Sequence, residues 1–201
     1  MDHTILRPDA TRSEVLESLG VAVRNGCFGF VVHPYWVPVL KEAPLPVISI
    51  AGFPFGADLP ETKATAAAHA AGHGASEIDM VINIGALKSG DWNAVAADVR
   101  GVREAIPGVV LKVILETGLL TVDETREAAR LCVAEGADWL KTCTGYGPRG
   151  ATVEDVELLK PFCKVKASAG IRTWEHAVAL VEAGAERLGA SATEAILAGC
   201  G

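Results

Sequence analysis

The sequence predicts an α/β fold, a closed (β/α)8 TIM barrel forming one compact domain over residues 1–201, and three observations carry that prediction. Short β-branched or apolar runs alternate with longer, alanine-rich amphipathic segments along the whole chain, the rhythm of parallel strands joined by helical crossovers. One connection, a helix end followed by Gly, Ala and a strand, recurs in AGHGASEID, AEGADWLK and EAGAERLG. No stretch rich in Pro, Ser or charge divides the chain, and eight strand candidates suit the small end of this fold's size range. An open doubly wound sheet is the alternative, although the first strand is not followed by the G-x-G-x-x-G turn of a dinucleotide site.

The elements follow in order. HTIL (3–6) is the first strand, and SEVLESLGVAVRNG, beginning at Ser13, the first helix. FGFVVHP (28–34) and VISIAGF (47–53) are β-branched or aromatic runs bounded by turn residues. PETKATAAAHAAGHG opens with Pro60 at its first helical position and Glu61 in its first turn, and it ends in glycines. EIDMVIN (77–83) leads into DWNAVAADVRGVREAI, which stops before Pro107. VVLKVILE (109–116) precedes TVDETREAARLCVAEG, where Thr121 or Asp123 caps the helix. DWLKTCT (138–144), CKVKAS (163–168) and RLGAS (187–191) complete the strands, followed in turn by TVEDVELLKPF, TWEHAVALVEAG and a short TEAILAG.

Composition excludes several functions. The formal charge is −7 with no basic run, so the footprint of a DNA, RNA or anionic-membrane binder is missing. Asp2, His3, Arg7, Asp9, Arg12 and Glu14 leave no room for the apolar core of a signal peptide. No apolar run approaches the roughly 18 residues of a membrane helix. The expected location is the cytoplasm. Cys27, Cys132, Cys143, Cys163 and Cys200 are widely spaced, without a C-x-x-C pair, and read as reduced core thiols. His69 and His73 are the one candidate metal pair, but they lack the glutamate of H-E-x-x-H and sit on an alanine-rich helix, so no metal is expected. His33 reads as a hydrogen-bonding residue at a strand end.

Charged residues recur at strand spacing. Alternate residues of a barrel strand face the interior. Glu77, Asp79, Val81 and Asn83 share one side of the fourth strand, and Lys112, Ile114 and Glu116 one side of the fifth. Trp139, Lys141 and Cys143 do so on the sixth, and Lys164, Lys166 and Ser168 on the seventh. If these faces point inward, carboxylates and lysines converge in a small interior where unpaired charge is expensive. A lysine next to a second ammonium in a dry site has a lowered pKa and becomes a neutral nucleophile. With a carbonyl substrate it forms an imine that draws electrons from a neighbouring carbon–carbon bond, while Asp79 moves protons. This reading leaves open which lysine attacks.

The turns after the last three strands, TGYGPRG (144–150), SAGIR (168–172) and GAS (189–191), offer backbone N–H groups on small residues, and Arg172 adds a charge. Barrel sites lie at the carboxyl ends of strands, with phosphate held after the last ones. The implied ligand is a small phosphorylated carbonyl compound.

DHTILRPDAT, EIDMVIN, LKVILETG, WLKTCTGYGPRGAT, VKASAGIRT and RLGAS, in this order over nearly the whole chain, resemble deoxyribose-phosphate aldolase, the DeoC family. The resemblance implies a metal-free, cofactor-free class I lyase cleaving 2-deoxy-D-ribose 5-phosphate reversibly to glyceraldehyde 3-phosphate and acetaldehyde in deoxynucleoside catabolism. It implies Lys141 as the imine-forming lysine, with Lys166 and Asp79 as proton donors and acceptors. By the same resemblance, Asp2 lies at the active-site end of the first strand, and Thr144 holds substrate hydroxyls. Gly145, Gly170, Arg172, Gly189 and Ser191 fall on the phosphate motifs. A homodimer is implied as well.

The chain departs from the family pattern at several positions. Cys143 stands where serine is frequent. Ala169 replaces the first glycine of a Gly-Gly pair, which keeps the N–H but strains any positive φ there. Ala192 removes a hydroxyl next to Ser191. Relatives also carry a helix before the DHT motif and a tail ending in tyrosine. The alternatives are a class I aldolase for another, unphosphorylated aldehyde, motivated by Ala169 and Ala192, and a sugar-phosphate-binding barrel without turnover.

Overall fold

A computed structural model describes residues 1–200. Eight parallel strands close into a barrel in sequence order: β1 (Asp2–Ile5), β2 (Gly29–Val32), β3 (Val47–Ala51), β4 (Glu77–Val81), β5 (Val110–Ile114), β6 (Trp139–Lys141), β7 (Lys164–Ser168) and β8 (Arg187–Ala190), with β8 pairing back to β1. Each expected strand is present; β1 keeps its four residues but shifts by one, the other seven are shorter than their runs, and in β2 to β6 and β8 the run's carboxyl end leaves the sheet to build a loop. Asn83 illustrates this. Expected as an inward strand residue, it caps a short helix instead, accepting the Ala86 N–H at 3.0 Å.

The helices are α1 (Arg12–Arg24), α2 (Pro60–Gly72), α3 (Ile84–Lys88), α4 (Trp92–Ala105), α5 (Val122–Ala134), α6 (Val153–Leu159), α7 (Trp174–Ala183) and α8 (Thr193–Ala198). Local chemistry sets their starts. Thr11, Thr121 and Thr152 each accept an N–H three residues on, and the acid at that position, Glu14, Glu124 or Asp155, reaches back to the threonine N–H. α1 therefore starts before Ser13. Between β2 and β3 there is no α-helix but a 3₁₀ segment, Pro34–Leu40, because Pro34 and Pro38 withhold backbone donors. Another 3₁₀ turn, Thr117–Leu119, follows β5. α3 and these two turns are absent from the sequence-based reading.

Strand faces divide the interior. Outward residues such as Phe30, Met80, Leu111, Val113, Leu140 and Val165 pack under the helices as the main core. Inward, Leu6, Val31, Ile48 and Ile50 form a separate apolar cluster on the β1–β3 side. The inward faces of β4 to β8 are charged instead. Behind the barrel, Lys63 of α2 is fully buried, donating to Asp98 of α4 at 2.6 Å and to the Val81 carbonyl at 2.9 Å. Burying that pair ties two helices to the end of β4.

Candidate active site

Register brings the charged residues level. Asp79 pairs with Lys112 across β4 and β5, Lys141 with Lys166 across β6 and β7, and Lys166 with Arg187 across β7 and β8. Asp79 is fully buried and takes three ammonium groups: Lys141 at 2.8 Å and Lys166 at 2.9 Å on Oδ2, and Lys112 at 2.9 Å on Oδ1. Lys112 also pairs with Glu77. Burial pushes the Asp79 pKa up, but Lys112, Lys141 and Lys166 outweigh it and hold the carboxyl well below its usual range.

The two paired lysines titrate in opposite directions. For Lys141, burial depresses the pKa, Asp79 pushes back and the Lys166 ammonium depresses it again, leaving about 8. Burial acts on Lys166 in the same sense, but Asp79 and Asp2 together lift it to about 12. Asp2 lies 2.7 Å from Lys166 and 2.9 Å from Arg187. The Arg187 guanidinium is stacked 3.6 Å over the Phe28 ring.

Asp2 does not lie where the resemblance put it. It is the first residue of β1, level with Gly29 and Gly189, and is fully buried below the mouth of the barrel. Parallel strands expose their carboxyl ends at the site, so the first residue of one sits a strand length away, where its partner is Lys166.

Above the cluster opens a cavity of about 520 Å³. Its wall includes Lys141 but neither Lys166 nor Asp79, and it brings together Thr144, Gly145, Gly170, Arg172, Gly189 and Ser191. Gly145 and Gly170 take φ values of 95° and 72°, the left-handed region that glycine tolerates. Gly189 is needed for room, since a Cβ there would stand 3.0 Å from the Lys166 side chain. Arg172 is exposed and makes no ion pair among the described residues. Ala169 has φ 77°, so the anticipated strain is present.

Thr144 lines the cavity in front of Glu116. Its hydroxyl donates to the buried carboxylate of Glu116, so toward a ligand the oxygen is an acceptor. Tyr146, unassigned from the sequence, lines the cavity and donates its hydroxyl to the Leu6 carbonyl at 3.0 Å. His33 meets that same carbonyl at 2.9 Å. Lys112, Glu77 and Glu116 were visible as period-two charges but not as working parts, because cross-strand partners are invisible in one chain's spacing.

Cys143 is buried against Thr117 at 3.3 Å, and burial raises its thiol pKa, so it is packing rather than a nucleophile. The His73 ring bonds the His69 carbonyl at 2.7 Å. Among the described residues, no three His, Cys, Asp or Glu side chains gather as metal ligands.

Comparison with known proteins places this geometry. The DeoC/LacD family aldolase model matches residues 1–199. Deoxyribose-phosphate aldolase of Thermus thermophilus is 45% identical, over 100% of this chain and 95% of that one. The enzyme of the same name from Brevibacillus brevis is 46% identical, over 99% and 94%. Among solved structures, an aldolase named QR15 superposes with a TM-score of 0.94 at 36% identity, covering 98% and 91%. A tetrameric deoxyribose phosphate aldolase from Aeropyrum pernix gives 0.91 at 31%, covering 98% and 87%.

Proposed function

The chain belongs to the DeoC/LacD family of aldolases, and from that premise we propose that its buried lysine–carboxylate cluster cleaves 2-deoxy-D-ribose 5-phosphate reversibly to glyceraldehyde 3-phosphate and acetaldehyde, a lyase reaction through a Schiff base. Lys141 is the nucleophile. The observation that carries this assignment is that, of the three lysines on Asp79, Lys141 alone reaches the cavity. Charge agrees. At pH 7 an amine of pKa about 8 is neutral in about one molecule in ten, against about one in 10⁵ at pKa about 12.

The steps follow from those positions. Neutral Lys141 attacks C1 of the open-chain sugar, water leaves, and a protonated imine forms. The C3 hydroxyl loses its proton, the C2–C3 bond breaks, and its electron pair moves toward the imine nitrogen, leaving an enamine of acetaldehyde and free glyceraldehyde 3-phosphate. Protonation at C2 and hydrolysis then release acetaldehyde and restore the amine. Asp79 touches both amines and is the proton relay beside Lys141, while Lys166, charged at rest, keeps Lys141 acidic and exchanges protons through Asp79. Asp2 stabilises Lys166 from below and contributes to substrate binding only through it.

Phosphate binds at the rim built by the turns after β6, β7 and β8. Gly145, Gly170, Gly189 and Ser191 present the N–H groups of three turns, and the unpaired Arg172 supplies charge. Thr144 accepts from a sugar hydroxyl. Location in the cytoplasm is proposed with this function, in keeping with the absence of any helix long and apolar enough to cross a membrane among the described residues. A homodimer is proposed too, and sedimentation of the purified protein as a monomer would refute it.

The deciding experiment is borohydride trapping with acetaldehyde followed by peptide mass mapping. The adduct is expected on Lys141, and an adduct on Lys166, or none in an active enzyme, overturns the mechanism.

A further inference from the structure

Glu116, at the end of β5, takes φ 56°, and Glu116 and Ala169 are the non-glycine residues with positive φ among the described residues. That region favours glycine. The side chain nevertheless has a defined task. It is 2% exposed, and its Oε2 accepts both the Thr144 backbone N–H at 3.1 Å and the Thr144 hydroxyl. Its Oε1 has no hydrogen-bond partner among the described residues and faces Gly147, where a Cβ would stand 2.5 Å from it.

The grip extends across the barrel mouth. Thr144 Oγ1 accepts the Tyr146 N–H at 3.0 Å, and the Tyr146 hydroxyl donates to the Leu6 carbonyl at 3.0 Å, linking the end of β6 to the end of β1. The Tyr146 ring meets Phe53 edge-on at 5.5 Å. Thr144, Gly145 and Tyr146 line the cavity with Lys141, whereas Glu116 stands behind them. A carboxylate kept where the backbone suits glycine, with one oxygen left unpaired, is a poor way merely to fill space.

We propose that Glu116 is a positioning residue. By holding Thr144 it sets the height of the 144–146 turn above Lys141, and it leaves the Thr144 oxygen a charge-polarised acceptor for a sugar hydroxyl. It therefore aligns the hydroxylated, phosphorylated part of the substrate rather than the carbon that Lys141 attacks. The inference rests on the aldolase reading above.

Two variants test it, each assayed for cleavage of deoxyribose 5-phosphate, for borohydride trapping of acetaldehyde on Lys141, and for melting temperature. Glu116→Gly removes the carboxylate while suiting the backbone. It should lower kcat/KM for the sugar phosphate about 100-fold, the scale of a misplaced substrate, while trapping of the two-carbon aldehyde stays within about threefold. Glu116→Gln keeps one acceptor for Thr144 and should recover about tenfold of that loss. Cleavage unchanged within about threefold in Glu116→Gly, or trapping that falls in parallel with cleavage, overturns the proposal. If Glu116→Gly does not fold, the same comparison is read in Glu116→Gln, where a loss of about tenfold in cleavage alone is expected. An active unmodified protein that gives no adduct on Lys141 refutes the aldolase mechanism itself, a result separate from any effect of Glu116.

Discussion

Replacing Ala169 by glycine should stabilise the protein without weakening its hold on phosphate. Ala169 sits at φ 77°, where an L-residue costs about 1–2 kcal/mol relative to an ordinary backbone conformation. It cannot relax, because its carbonyl accepts the Ala151 N–H at 3.1 Å and a Cβ on Gly150 would stand 2.4 Å from that carbonyl oxygen. Glycine removes the misfit but adds about 0.4–1 kcal/mol of unfolded-chain freedom. The methyl group is only half-buried, so little apolar burial is lost. The net gain is about 0.5–1 kcal/mol, which for a chain of this size raises Tm by about 1–4 °C. Thermal melting at pH 7, with kcat/KM on deoxyribose and on its 5-phosphate, is the assay. A fall in Tm would show that the left-handed conformation is not strained. A selective loss on the phosphorylated sugar would show that the methyl group helps to shape the anion site.

The remaining predictions concern the charged cluster. Asp79→Asn leaves three buried ammonium groups short of a partner, which costs about 3–5 kcal/mol and lowers Tm by about 6–20 °C, with cleavage lost. A melt unchanged within about 2 °C would contradict the charged state of the cluster. Trapping by acetaldehyde should rise about tenfold per pH unit up to about 8 and level off above it, as Lys141 loses its proton, and a flat profile from about pH 6 to 9 would remove Lys141 as the titrating nucleophile. Stability should follow both lysines. The Lys141 pKa is lowered on folding, so the unfolded chain binds more protons between about 8 and 10.5, and stability from this group rises with pH there. The Lys166 pKa is raised, so its contribution is full below about 10.5 and is lost toward about 12. Denaturant titrations across that range read both slopes.

Much of the architecture was legible in the sequence for a physical reason. A parallel strand must be apolar on its outer face and a crossover helix amphipathic, and each leaves a period in one chain's sequence. The period-two charges Glu77, Asp79, Lys112, Lys141 and Lys166 were legible in the same way, and they are the cluster around Asp79, whereas Lys164 is exposed beside Trp139. What spacing could not supply was partnership. Glu116 looked like one more inward charge, yet it leaves the strand at φ 56° to hold Thr144 from the next strand's loop. Asp2 was misplaced because a motif names a strand but not the height along it. α3 was missed because it begins in a run that reads as strand and depends on Asn83 for its cap.

The choice between the lysines follows from the barrel's closure. Lys141 and Lys166 are direct partners on adjacent strands, so neither sequence nor register distinguishes them. Their other neighbours do. β7 lies next to β8, which pairs with β1, and β1 enters at Asp2, so Lys166 gains a second carboxylate that exists there only because the sheet closes. Gly189 on β8 leaves the space its side chain fills. β6 is three residues long and gives way to the cavity at Thr144, so Lys141 shares Asp79 with two other ammonium groups and meets substrate on its remaining side. An open sheet bearing the same motifs would lack the β8–β1 seam. Lys166 would then lose one of the two carboxylates that keep it charged, which weakens the fixed positive charge that keeps Lys141 acidic. On this argument, Asp2→Asn should leave Lys141 in place but lower the pKa of Lys166, so that the loss of stability between about pH 10.5 and 12 shrinks in denaturant titrations. An unchanged pH profile of stability in that variant would show that Asp79 alone holds Lys166 charged.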